Sequence, residues 1–510
     1  MHPRKFIRDS IGFVFTQYVV RAALMMRGLI AARLLGPQAY GQWNALQLLM
    51  DYGVFAPAGT QQGLDQAVPP RMVANDAAGL RSVTRAGLFN ILTLSLLFIG
   101  GVYLWAGHGA GRILNAWGYL GLSLAMGCIL LTNIGYYMLT IMRSHGDISS
   151  VSRWYFIQAV IGSAVGLGGI WRFGPWALLW GWFLGTLIAT IVAHFPSRHI
   201  APLTPMPSAD SRRLIQVGLP MFVYTSSSLV MRSVDRLIVL PTLGTASLGL
   251  YSLTVMALTF LLYLPDSITY VLYPQLLRRY SEGGSKPEAI HATVDRVVKG
   301  MAIFVPLLCG IAYLFAREAV SLLLPKFLPG VAALRVLCFG AVGLAVSNLA
   351  SVVLMTVGRQ MLLVPAALIA TAVGAALDIA AVRLGHGITG VAWATFFTYV
   401  VNGSIMLGMA FRGLGESARG VAAALFRSFM PLVLSILLAY ALDRYLPWSV
   451  PPNTLYRVLR LLLATVLFIP LYAGACVPFS QGLGLRQLVS EFNLPVLGPV
   501  LRRILGSPKS

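Results

Sequence analysis

Three arginines, Arg21, Arg27 and Arg33, recur at six-residue spacing along the first long apolar stretch of the chain. A guanidinium carried into apolar surroundings is costly, and it is retained where it meets a phosphate in bidentate geometry or pairs with a buried acid. Six residues correspond to about 600° of helical rotation, so successive arginines differ by about 120° around the axis and about 9 Å along it. The three therefore cannot share one face. Arg33 abuts Leu34, Leu35, Gly36 and Pro37 and reads as a side chain that snorkels to the outer interface. Arg21 and Arg27 lie deeper, and at least one of them is expected to face an interior cavity. A second set comprises Arg232, Asp235 and Arg236. Read as one helix, the i, i+4 spacing puts both arginines on one face, with Asp235 one turn from Arg232 and able to neutralise part of its charge. Asp51 and Asp378 are lone acids among apolar neighbours. A buried carboxylate must be protonated or paired, so each either binds a coupling proton or sodium ion or pairs with a deep arginine, for Asp51 with Arg21 or Arg27. Arg71, which follows Gln61, Gln62 and Gly63, reads either as an ordinary cytoplasmic charge or as a phosphate anchor at a cytoplasmic mouth.

Enzyme signatures are missing. The four cysteines, Cys128, Cys309, Cys338 and Cys476, are dispersed without CxxC spacing, which argues against a disulfide framework or a zinc site. Neither HExxH nor GxxxxGK[ST] occurs, so no catalytic residue, metal or other cofactor is expected, nor is ATP coupling by this chain.

The elements that must position these charges are set by composition. The chain has 510 residues, 57% hydrophobic and only 11% charged, and a mean hydropathy of +0.77. Soluble domains carry about 25% charged residues, so an ordinary soluble protein is ruled out and lipid is the expected solvent. Apolar runs of about 20 residues are long enough to cross a hydrocarbon core. Punctuation by charge, Gly and Pro divides the chain into 14 candidate spans: 11–34, 42–62, 83–106, 115–142, 150–171, 174–195, 214–240, 246–274, 297–324, 331–357, 360–383, 387–411, 421–443 and 455–478. The polar stretch 275–296, with Gly283, Gly284 and Pro287, reads as a central linker. Arg4, Lys5 and Arg8 precede a stretch too long for a signal peptide and lacking a small-residue cleavage site, so it is read as an uncleaved first span.

With the N-terminus in the cytoplasm, 24 of the 38 Lys and Arg fall in cytoplasmic segments and six on the opposite side, a strong positive-inside bias. An even number of spans puts both termini in the cytoplasm, in agreement with the basic tail. Most of the +22 net charge is thereby topological, and no nucleic-acid partner is implied.

An offset of 208 residues aligns Leu35, Gly36, Gly41 and Trp43 with Leu243, Gly244, Gly249 and Tyr251, then Pro57 with Pro265 and Arg71 with Arg279. Spans one and two then match spans seven and eight. Two parallel six-helix lobes related by an axis along the membrane normal follow, an arrangement suited to alternating access. The expected fold is an all-α polytopic membrane protein of about 14 transmembrane helices: a lobe at 1–200, a second at 201–411, and two further helices with a basic cytoplasmic tail at 412–510. Under this offset Arg27 falls on Asp235, and opposite signs at equivalent positions suit an ion pair made in one conformation and broken in another. Pro57, Pro220, Pro265, Pro306 and Pro365 mark hinges or static kinks. Gly162 with Gly166 and Gly181 with Gly185 mark close helix packing, and Trp154, Tyr155, Trp171 and Trp176 an interfacial belt.

The stretches ARLLGPQAYG (32–41) and VDRLIVLPTLGTASLGLYS (234–252), with LYPQLLRRYSE (272–282) after them, resemble the polysaccharide transporter family, the O-antigen and exopolysaccharide repeat-unit flippases of the multidrug, oligosaccharidyl-lipid and polysaccharide exporter superfamily. The resemblance implies movement of an undecaprenyl-diphosphate-linked oligosaccharide from the cytoplasmic to the outer leaflet of the bacterial inner membrane through a cationic central cavity. For that cargo the candidate cations, read from their positions in the chain, are Arg21, Arg27, Arg232, Arg236 and Arg71, and Asp51, Asp235 and Asp378 are the candidates for coupling or charge pairing. Polymerase or ligase machinery for the same glycan is the implied protein partner. A cation-coupled multidrug exporter is the main alternative and needs more deep acids than this chain has; a lipid II flippase differs only in its cargo. A membrane glycosyltransferase or polymer ligase needs large extracytoplasmic loops bearing catalytic acids or His, and the loops here are short.

Overall fold

In lipid a backbone must satisfy its own hydrogen bonds, which only helices and closed barrels do, and every regular element of this protein is helical among the described residues. The computed structural model describes residues 3–108, 111–194, 204–445 and 454–479. The basic tail expected beyond residue 480 lies outside them. The helices are α1 Pro3–Gly53, α2 Thr60–Val73, α3 Ala77–His108, α4 Gly111–Ser144, α5 Ile148–Phe173, α6 Trp176–His194, α7 Ala209–Met231, α8 Val234–Glu282, α9 Glu288–Leu323, α10 Val331–Leu337, α11 Gly340–Thr356, α12 Leu363–Arg383, α13 Gly387–Gly413, α14 Ala418–Tyr445 and α15 Thr454–Cys476. Ten helices are long and apolar enough to cross a membrane among the described residues, or eleven if the bent pair Pro325–Leu337 and Gly340–Thr356 is one span. The expected number was 14. Part of the difference is that elements are not crossings: α8 has 49 residues and is interrupted at Gly244, and the 38 residues after the break are about 57 Å of helix, nearly twice the roughly 30 Å of a hydrocarbon core.

The repeat is visible in the backbone. Gly36 interrupts α1 at φ 71°, ψ 175°, and Gly244 interrupts α8 at φ 84°, ψ 177°. Both adopt a conformation that a Cβ disfavours, and they are 208 residues apart. Arg27 and Trp43 demonstrate what the first break does. Sixteen residues of straight helix would separate them by about 24 Å, yet the Arg27 guanidinium carbon lies 5.7 Å from the Trp43 ring, so the chain folds back at Gly36.

The chain divides into two compact units, one of Met1–Ser233 with Leu240–Ser252, the other of Val234–Val239 with Leu253–Ser510. In the first, α5 packs on α6, α1 on α4 and α5, and α2 on α3 and α7. The expected glycine packing is present: a Cβ on Gly181 would meet the Gly162 carbonyl, and one on Gly185 would lie 2.8 Å from the Gln158 carbonyl oxygen. Segments following the two breaks also cross within this unit. A Cβ on Gly41 would overlap the Thr245 carbonyl oxygen and lie 3.0 Å from the Gly249 nitrogen; one on Gly249 would overlap the Pro37 carbonyl oxygen and lie 3.0 Å from the Gly41 nitrogen. Pro37 and Thr245 are themselves 208 residues apart, so the contact is symmetric under the repeat.

In the second unit α13 packs on α10, α11 and α12, while α14 and α15 pack on α9. The last two helices are anchored: Ser435 Oγ donates to the Pro306 carbonyl at 2.7 Å and Tyr472 OH to the Ile303 carbonyl at 2.9 Å.

Several expectations are corrected. Span two does not reach residue 62; α1 ends at Gly53, a turn holding Pro57, Ala58 at φ 45° and Gly59 at φ 86° follows, and α2 begins at Thr60. Asp51 therefore sits two residues from a helix end instead of mid-span. Span seven is divided at Arg232 and Ser233, where α7 gives way to α8. The stretch 275–296 is mostly helical, since α8 runs to Glu282 and α9 starts at Glu288. Span 331–357 is bent by 46° between α10 and α11. Trp154 leaves the interfacial belt: it is buried, with Nε1 donating to Thr190 Oγ1 at 3.1 Å.

Candidate functional site

Each unit carries its own cluster of charged residues. In the first, the fold-back at Gly36 brings Trp43 to Arg27, and α6 brings Trp182, whose ring centroid is 5.5 Å from the same guanidinium carbon. Trp182 Nε1 donates to Thr132 Oγ1 of α4 at 3.3 Å. Arg27 is only 7% exposed. Among the described residues it has neither a carboxylate within ion-pair distance nor a hydrogen-bond acceptor, so the pairing of Arg27 with Asp51 is not formed. Its positive charge is stabilised by two indole faces, and its donors remain uncommitted. Arg21 is half-buried and Arg33 exposed, as the outward reading of Arg33 requires.

The end of α1 is tied into polar contacts. Tyr52 OH and Ser233 Oγ lie 2.7 Å apart, and Asn133 Nδ2 donates to the Gly53 carbonyl and to Ser95 Oγ, both at 3.0 Å. Asp51 precedes this junction. Arg71 is committed elsewhere: it pairs with Asp210 at 3.3 Å, while Ser82 Oγ donates to the other Asp210 oxygen at 2.6 Å. That network joins α2 and α3 to the first turn of α7.

In the second unit, Asp235 opens α8 with its side chain 2% exposed, accepts the Arg236 backbone N–H at 2.7 Å, and has Arg236 Nε at 4.0 Å. Asp378 of α12 is fully buried, and neither carboxyl oxygen has a hydrogen bond of normal geometry among the described residues, although the Thr395 hydroxyl of α13 faces it. Asp235 is near enough to act on it electrostatically. The structure thus gathers two acids that the sequence separates by 143 positions. Arg232 caps α7; Arg27 and Asp235 belong to different units.

Two polar pairs were missed by sequence reasoning. Arg335 forks onto Asp443 at 2.9 and 3.1 Å while lying 4.8 Å from the Tyr313 ring, and Asn348 Nδ2 donates to Asp266 at 2.8 Å. Arg335 stood inside an expected span, and its depth was the available signal.

The fold is one used by membrane transporters. It is similar to the lipid II flippase MurJ in an inward closed conformation (TM-score 0.65, 13% identity, 92% of this chain and 100% of that one). It is also similar to an inward-facing multidrug resistance MATE family transporter of the MOP superfamily (TM-score 0.58, 18% identity, 78% and 98%) and to a MOP superfamily transporter from Pyrococcus furiosus with a binding pocket of reversed polarity (TM-score 0.55, 16% identity, 81% and 96%). Residues 30–327, more than half of the chain, match the family described as polysaccharide biosynthesis protein, and the chain belongs to that family. The resemblance read from the sequence is thereby borne out, as is the all-α polytopic membrane fold. No curated protein matches the sequence.

Proposed function

We propose that this protein is a flippase for an undecaprenyl-diphosphate-linked oligosaccharide, carrying it from the cytoplasmic to the outer leaflet of the bacterial inner membrane by alternating access, for assembly of a surface or exported polysaccharide. Both termini are cytoplasmic in this reading, and the glycan's polymerase or ligase receives the product. The observation that carries it is Arg27, a buried guanidinium with no acid partner among the described residues, in a chain of the polysaccharide biosynthesis family. A buried cation calls for an anion, and a guanidinium suits the oxygens of a diphosphate. That one protein of this fold is a lipid II flippase supports a lipid-linked cargo. Arg21 and Arg232 are further cations of the same unit as Arg27, and in the other unit Asp378 with Asp235 takes the coupling proton or sodium ion.

The test follows radiolabelled undecaprenyl-linked oligosaccharide in a deletion strain, read by leaflet accessibility, with wild type or Arg27→Gln restored at equal expression. Accumulation on the cytoplasmic side that wild type clears is the expected result. Loss of one charge-assisted fork is worth about 1.5–3 kcal/mol, or about 10- to 150-fold in affinity, so Arg27→Gln clears slowly or not at all. Raised drug sensitivity without lipid-linked sugar accumulation would transfer the protein to the multidrug exporters.

A further inference from the structure

Arg27 raises a question of design: why is a deeply buried cation held by tryptophans when an acid would stabilise it as well? The five N–H donors of a guanidinium lie in its plane. A carboxylate partner neutralises the charge by occupying those donors. An aromatic face stabilises the same cation through its quadrupole and leaves the donors free. Three elements converge to make this arrangement: α1 supplies Trp43 at 5.7 Å, α6 supplies Trp182 at 5.5 Å, and α4 supplies Thr132, which accepts the Trp182 indole N–H at 3.3 Å. Trp43 and Thr132 are both buried. Trp43 is thus held within the protein, while Trp182 is half-buried and tied by its indole N–H to the buried Thr132.

We propose that Trp43 and Trp182, with Thr132 orienting Trp182, are positioning residues that hold the Arg27 guanidinium uncommitted for a lipid-linked diphosphate. This rests on the flippase reading for the identity of the anion, but the holding of Arg27 is a property of the unliganded protein. Trp182 is the member to alter, because it comes from a different helix than the arginine it holds.

The experiment uses the full chain in nanodiscs, with undecaprenyl diphosphate as the probe and inorganic pyrophosphate as the headgroup control. Trp182→Leu keeps an apolar side chain without a π face and is expected to weaken binding about 3- to 30-fold, the range of a desolvated cation–π contact. Trp182→Phe keeps a ring without the Thr132 bond and is expected to regain most of that loss. In an Arg27→Gln background Trp182→Leu is expected to have no further effect on binding. An equal loss in both backgrounds, or wild-type binding by Trp182→Leu, would overturn the proposal. If wild type binds neither probe, the flippase reading fails and the clamp is judged by apparent melting midpoints of wild type, Arg27→Gln, Trp182→Leu and the double variant. Non-additive shifts of Arg27→Gln and Trp182→Leu then uphold the holding role, and additive shifts reject it.

Discussion

Replacing Gly41 with alanine adds one methyl group at a place where the structure has no room for it. The new Cβ would overlap the Thr245 carbonyl oxygen and stand 3.0 Å from the Gly249 nitrogen. The obstacle is backbone on both counts, so no rotamer change relieves it. The crossing segments must part by roughly 1 Å, and a gap of that size forfeits up to about half of each dispersion contact across it. Tyr40, Trp43 and Leu46 on one segment and Leu248 and Tyr251 on the other are buried, so the separation falls on packed chain. Overpacking of this kind costs about 1–3 kcal/mol, which at about 2–4 °C per kcal/mol for a unit of this size lowers the apparent melting midpoint by roughly 2–12 °C. Gly249→Ala should behave alike, because its Cβ would overlap the Pro37 carbonyl oxygen. The double variant is the sharper test. Both substitutions open one crossing, so their combined cost should fall short of the sum. Gly100→Ala and Gly101→Ala in α3, where nothing lies within 4 Å, serve as controls and gain up to about 1 kcal/mol from helix propensity. The assay is intrinsic-fluorescence melting of detergent-purified protein. A neutral Gly41→Ala, or strict additivity, would refute the backbone contact as the origin of the glycines.

Asp378→Asn removes a charge whose oxygens have no hydrogen bond of normal geometry among the described residues; the melting midpoint should hold or rise while transport loses its dependence on an ion gradient, and a large fall in stability would mean that the ionised carboxylate is structural. Asp443→Asn breaks the fork from Arg335, a pair whose loss should cost about 1.5–3 kcal/mol, read by the same melting assay; an unchanged midpoint would count against it. Asp147 caps α5 in the α4–α5 turn: burial raises its carboxyl pKa, but hydrogen bonds from the Ser150 side chain and backbone and from Ser149 outweigh this and hold it below the usual value. Its contribution is therefore present above the unfolded pKa of about 3.9 and lost as pH falls through the folded value, so Asp147→Ala should lower stability by about 1 kcal/mol at neutral pH. The difference from wild type should shrink in acid, and a pH-independent difference would show that the cap does not act through its charge.

Periodicity and composition carried the fold class, because the need to satisfy backbone groups in lipid leaves helix as the default wherever about 20 apolar residues run together. The Gly36 and Gly244 breaks were legible for a related reason: their spacing of 208 residues is a property of the chain, and positive φ is a demand that one residue type meets cheaply. Arg27 was legible as a deep cation for its cost alone. What could not be read was which groups surround these residues. The sequence offered Asp51 as a partner for Arg27, and the structure supplies Trp43 and Trp182 instead.

Partner choice of that kind is set by non-local contacts, and sequence spacing says nothing about them. Arg335 and Asp443 are 108 residues apart and meet in a fork; Asp235 and Asp378 come from α8 and α12. Trp154 illustrates the same limit from the other side. A tryptophan near a span end is amphipathic and suits an interface, but a hydroxyl on a neighbouring helix satisfies its indole N–H equally well and takes it inside. Residue types along the chain thus determined that this is a helical membrane protein built on a repeat, with charge held at depth. Which charges are paired with an acid and which are held against aromatic rings was decided by tertiary packing, since a buried charge is governed by whatever lies within a few ångströms of it.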